Sequence, residues 1–390
     1  MPTAEKLTID RVEIMPLDTL PPLKRAISTG PISYGTDNLV GRSVLMALHG
    51  GGLTGYGQMR PVNPFQGETA ASVVAALRDF YGPALLGRDP NERTAILGDC
   101  NRMLPGNPGA LSILDMALHD LLGKALDLPV HALLGGAVKE SMPLEWSVGL
   151  GPLKQMVEEA ETKFDEYAVP YICFKVGPVG RMADDVATLK AVHQSLGGKT
   201  RLALDANNAL REHEAVTLVR ELEELDLAYF EQPTARDDHV AMRRVRDQVT
   251  VPIMADESVF SPEDAYRVLA AEAADVLCIK LYKSGGLWRG RQIGLAAASA
   301  ECDINAAGTA NGSHLEALAA AHHCAATPNH SFGAEFMMGL PEIGIDPIVP
   351  DPVIPIKDGH CPIPPGPGLG AVVDTKALDK HALDCILVAP

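Results

Sequence analysis

Five short apolar runs between residues 171 and 283 each close on a charged side chain, and this repetition constrains the fold more than any other feature. "YICFKVG" carries Lys175, "LALDANNAL" Asp205, "YFEQP" Glu231, "IMADES" Asp256 and "VLCIKLYKSGG" Lys280. About two dozen residues or slightly more lie between neighbours, the length of one strand, one helix and two loops. Strands alternating with helical patterns imply parallel βαβ units, and a parallel sheet keeps its strand ends on one face. Closed into a barrel, such units bring three carboxylates and two lysines to one mouth. Crowded carboxylates repel unless a cation sits among them, so the pattern asks for a metal.

The rest of the chain frames that barrel. "LTIDRVEIMPL" and "NLVGRSVLMAL" read as strands, and "HGGGLTGYGQM" as a glycine-rich turn into a third. "PPLKRAISTGPISYGTDN", between the first two, reads as an exposed loop. Helical periodicity covers 68–81 and 107–128. Strands first and helices second is an α+β arrangement, so 1–135 is expected to form a capping domain, completed by a tail at about 360–390. From 136 to 359 the spacing predicts a (β/α) TIM-type barrel, its eighth strand near 332–336. His322 and His323 fall in the last barrel helix and read as surface or interface residues.

A net charge of −17 argues against nucleic acid and against an anionic membrane surface as partners. Seven cysteines without close metal spacing point to reduced thiols. With no signal-like start and no membrane-length apolar run, a cytoplasmic protein is expected.

Asp205, Glu231 and Asp256 supply hard oxygen ligands, which suit Mg²⁺ or Mn²⁺ better than zinc. Asn207, on the same strand face as Asp205, is placed to hydrogen-bond a ligand. Lys175 and Lys280 would stand on opposite sides of the mouth, where a metal and apolar walls would depress their pKa and make each a candidate base. Lys283, just past its strand, reads as a capping or paired lysine.

On these residues the chain resembles the enolase superfamily, within it the muconate lactonizing enzyme subgroup. The order Lys, Asp, Glu, Asp, Lys matches, as do the tags "EQP", "ADES" and "KSGG" and the junction "ALHDLLGKALDLPVHALLGG". Enzymes of that superfamily use a Lys or His base with one or two Mg²⁺ ions that stabilise an ene-diolate, so the resemblance implies removal of a proton α to a carboxylate. Three departures stand out. Cys173 replaces the first lysine of the usual Lys-x-Lys. "CDINAAGTA" lacks the histidine of mandelate-racemase-like members, and Lys280 stands where their Asp would be. Glu335 replaces the Asp-x-Asp of dipeptide epimerases and matches the muconate subgroup. The resemblance also implies two loops closing over the site, at 27–38 and 60–67, with Tyr34 and Phe65 as candidate walls; Trp146 on strand one is a further candidate for the pocket.

The resulting expectation is a metal-dependent cycloisomerase or racemase/epimerase of a small carboxylic or amino acid derivative, assembled as a homo-oligomer. The rival readings are a dehydratase on the same scaffold, a Schiff-base lyase or aldolase needing no metal, and a barrel that has lost catalysis.

Overall fold

The computed structural model describes residues 7–19, 23–34, 43–61, 67–178, 180–306, 312–335, 346–350 and 355–389, with 23–25 and 31–34 described by backbone alone. Strands β1 (Arg11–Leu17), β2 (Leu23–Ile27), β3 (Gly30–Tyr34), β4 (Ser43–Gly50) and β5 (Leu53–Met59) precede helices α1 (Ala70–Ala76), α2 (Arg93–Met103) and α3 (Pro108–Leu126). β1, β4 and β5 form an antiparallel sheet on which α3 lies. The glycines of β5 permit that contact. A Cβ on Gly57 would come within 2.0 Å of the Ile113 carbonyl oxygen, and one on Gly55 within 2.4 Å of the Ala117 oxygen, so the helix backbone rests on the strand backbone.

The next section alternates. After β6 (Ser141–Pro143) come β7 (Glu145–Val148), α4 (Leu153–Tyr167), β8 (Tyr171–Lys175), α5 (Met182–Leu196), β9 (Arg201–Asp205) and α6 (Glu212–Glu221). Then follow β10 (Phe230–Glu231), α7 (His239–Arg246), β11 (Ile253–Ala255), α8 (Pro262–Ala270), β12 (Val276–Ile279), α9 (Leu287–Ser299), β13 (Asp303–Ala306) and α10 (His314–Ala326). Local chemistry sets several starts: Asp238, Ser261 and Ser313 accept from the amides of Ala241, Asp264 and Glu316. β7 to β13 make one parallel seven-stranded sheet. Segment 330–335 closes it into a barrel, bridging in parallel from His330 to Ile304 on one side and from Ala334 to Leu144 on the other. Beyond it, β14 (His360–Pro362) pairs with β6, α11 (Thr375–His381) follows, and β15 (Ile386–Val388) pairs with β1.

Three expectations change. The stretch read as an exposed loop contains a hairpin, β2 paired with β3. It is fastened to the barrel: Leu150 N–H donates to the Ala26 carbonyl (2.8 Å), and Ser28 Oγ donates to the Asp205 carbonyl (3.2 Å). Helix α2 stands where the sequence pattern announces no helix. His322 and His323 are buried, at 0% and 1% exposure, because α10 packs beneath both β5 and the 130–133 turn of the cap. All 13 residues of that helix are buried, as its lack of a polar face requires. Among the described residues no helix is long and apolar enough to cross a membrane.

These histidines give stability a pH dependence. Burial pushes His322 down to about 3, His323 to about 4 and His330 to about 3. Unfolded histidine takes up a proton near pH 6.5, which the folded chain refuses until much lower, so stability falls as pH drops through that window. Each histidine contributes up to about 1.4 kcal/mol per pH unit. Buried carboxyls pushed upward act in the opposite sense over this range, so the measurement is a difference: between about pH 7 and about pH 5 the urea midpoint of the wild type should lose more than that of a His322→Gln, His323→Gln variant, and equal slopes would contradict buried neutral histidines.

Candidate active site

Alternation along each strand builds the site. Inside the barrel, Cys173, Ala203, Tyr229, Met254 and Cys278 pack together with Val276 and Phe332. Two residues further along each chain come Lys175, Asp205, Glu231, Asp256 and Lys280, on the same face but one step nearer the mouth. Register completes the ring, with Lys175 level with Asp205 and Asp205 level with Glu231.

Lys175 Nζ donates to Asp205 Oδ2. Lys280 Nζ donates to Asp256 Oδ2 at 2.5 Å and lies 3.9 Å from Glu231 Oε1. Lys283 Nζ donates at 2.5 Å both to Asp256 Oδ1 and to the Asp256 carbonyl, beneath the Phe260 ring. Asn207 donates to Asp205 through its amide N–H (2.8 Å) and its Nδ2 (3.0 Å), and to Glu257 Oε1 (3.3 Å).

The charges strain against one another. Burial, with Asp205 and Asp256 alongside, pushes the Glu231 carboxyl well above its ordinary range. Burial, Asp256 and Asp205 push Glu257 up to about 8. Burial would also raise Asp256, yet Lys280 and Lys283 hold it below the usual carboxylate range. The site thus has more negative charge than its lysines satisfy evenly, and buried Glu257 Oε2 and Asn207 Oδ1 lack hydrogen-bond partners among the described residues. This donor set fits a hard divalent cation. Ligand atoms of Glu231, Asp256 and Cys278 lie within 4.8 Å of one another. Of these the thiol is the poor match, because burial and Asp256 push Cys278 well above its ordinary pKa and keep it protonated; Asp205, the third carboxylate expected as a ligand, is not in this group, and its Oδ2 accepts from Lys175.

In the lysines burial and ion pairing oppose each other. Burial alone would lower them, but Asp205 holds Lys175, and Asp256 holds Lys280, well above the ordinary lysine value. Here the carboxylates serve as their counterions. Trp146 is corrected: it is level with Ile172 and points outward, where its indole donates to Glu159 (2.9 Å) and stacks on Tyr167. Its neighbour Glu145 is the inward residue. It accepts from the Tyr229 hydroxyl (2.6 Å), and burial pushes its carboxyl up to about 8. Cys173 is buried in the interior cluster. Glu335 is half-buried, and its charge acts on Lys175 and Glu145. Tyr34 belongs to β3, but its side chain, like all of Phe65, lies outside the described residues. Sequence reasoning assigns no role to Glu257 or Gln232, although both sit inside the "ADES" and "EQP" tags.

Comparison with known proteins identifies the family. Residues 155–377 match the enolase C-terminal domain-like model, and 22–135 the N-terminal domain of mandelate racemase / muconate lactonizing enzyme. The chain is 32% identical over 376 residues to muconate cycloisomerase 1 of Rhodococcus opacus, covering 95% of this chain and 98% of that one. Muconate lactonizing enzyme of Pseudomonas fluorescens, solved with muconolactone, superposes with a TM-score of 0.88 at 26% identity, covering 97% and 100% of the two chains. A dipeptide epimerase of Enterococcus faecalis, solved with Mg and the dipeptide L-Leu-L-Tyr, gives 0.82 at 26% identity over 94% and 99%. With both family domains matched, and cycloisomerases and epimerases as its relatives, this chain belongs to the mandelate racemase / muconate lactonizing enzyme family and is an isomerase of the enolase superfamily.

Proposed function

We propose that the chain moves a proton at the carbon α to a substrate carboxylate, with Asp205, Glu231 and Asp256 as Mg²⁺ ligands and Lys175 and Lys280 as the acid and base. The observation that carries this reading is the pair of lysines from the second and sixth barrel strands, Lys175 half-buried and Lys280 buried, each hydrogen-bonded to one of those carboxylates. The bound cation supplies positive charge against the substrate carboxylate as the α-carbon loses its proton. With Asp205 and Asp256 as metal ligands, Lys175 and Lys280 would give up the counterions that hold them protonated, and a neutral amine would become available. One lysine takes the α-proton from its face; the other, still an ammonium, returns a proton to the opposite face. The product is the inverted centre of a racemase or epimerase.

Cycloisomerisation by a single lysine is the second reading, favoured by the 32% identity to a muconate cycloisomerase across nearly the whole chain. The substrate is a small carboxylate, either an amino acid derivative such as a dipeptide or an unsaturated diacid. The test is NMR of Mg²⁺-loaded protein in D₂O with dipeptides, N-acyl amino acids and cis,cis-muconate. α-Deuteration with inversion supports the first reading, and lactone formation without inversion the second. Neither exchange nor lactone across the panel would refute both.

A further inference from the structure

We infer that Gln232 is a positioning residue that sets the spacing of the three proposed metal-ligand carboxylates. Resting on that ligand assignment, the inference begins with a fully buried side chain whose polar atoms are all committed around the mouth. Its Oε1 accepts from the amides of Asp256 (2.9 Å) and Ser258 (3.1 Å). Its Nε2 donates to Ser258 Oγ (2.9 Å) and to the Thr234 carbonyl (3.0 Å). The main chain adds two more ties: Gln232 N–H donates to the Met254 carbonyl (2.8 Å), and its own carbonyl accepts from Asn208 (3.0 Å). One residue therefore joins the ends of β9, β10 and β11, which deliver Asp205, Glu231 and Asp256.

The backbone at this point is unusual. Gln232 has φ +37°, and Asn207 and Asn208 have +41° and +67°. Left-handed conformations are costly for a long side chain, and here the side chain's hydrogen bonds hold the turn that follows Glu231. Glu231 and Asp256 repel each other across this tie, so loosening it lets them separate and weakens their hold on a cation.

The experiment is Mn²⁺ binding to substrate-free protein, read by electron paramagnetic resonance. Gln232→Met keeps the bulk and loses the bonds, whereas Gln232→Gly accepts the left-handed backbone without strain and removes the side chain. Both should raise the Mn²⁺ Kd by about 10–100-fold, the usual effect of losing a residue that orients metal ligands. Amide exchange at Asp256 and Ser258 should accelerate in both. Wild-type Mn²⁺ affinity in Gln232→Gly, with a native circular dichroism spectrum, overturns the inference. Glu231→Gln separates it from the ligand assignment. If Glu231→Gln abolishes binding while both Gln232 variants retain it, positioning by Gln232 is wrong; if Glu231→Gln binds Mn²⁺ normally, the ligand assignment is wrong.

Discussion

Lys175→Ala and Lys280→Ala should each lower turnover by about 10²–10⁴-fold, the usual cost of removing a positioned acid or base. Neither truncation should unfold the barrel, because each abandoned carboxylate keeps other donors. Asp205 still accepts from Asn207, and Asp256 still accepts from Lys283. In D₂O, a two-base enzyme should lose α-proton exchange on one substrate enantiomer in one variant and on the other enantiomer in the other. Dependence of all exchange on a single lysine would assign the opposite one to charge stabilisation and favour cycloisomerisation. Wild-type exchange in both variants would remove the lysines from the mechanism.

Exhaustive chelation should abolish turnover, and Mg²⁺ or Mn²⁺ should restore it. The physical ground is the buried acid cluster: Glu231 faces Asp205 and Asp256, with the Lys280 ammonium 3.9 Å away. A divalent ion relieves that repulsion more fully than an ammonium already committed to Asp256. Borohydride added with substrate should trap no adduct on either lysine. Full activity after chelation, with a reducible lysine adduct, would instead establish Schiff-base chemistry.

What can be read from the sequence follows from what period-two patterning specifies. The five strand-end residues are legible because each closes an apolar run, and the parallel architecture sends all such ends to one face. Pattern alone does not decide which of two adjacent residues faces inward where both neighbours are plausible. Trp146 fits a pocket wall by its position on strand one, whereas the register with β8 turns it outward and Glu145 inward. Glycine, proline and serine hide the β2–β3 hairpin, since its support comes from Leu150 and Asp205 far along the chain. The burial of His322 and His323 is equally non-local: the cap covers the helix that carries them. The upward shift of the lysines depends on side-chain pairings, which spacing does not encode.

The pairing of β15 with β1 has a consequence for how the molecule is made. Val12, Glu13 and Ile14 find their partners in Val388, Leu387 and Ile386, so β1 waits during synthesis for a strand that follows the whole barrel. At ordinary translation speeds the delay is on the order of tens of seconds. Throughout it, one edge of β1 lacks its neighbour and is open to pairing with another nascent chain. The cap cannot reach its final form until the barrel has emerged, which makes the two halves a single unit of biogenesis even though they divide the work of the folded molecule.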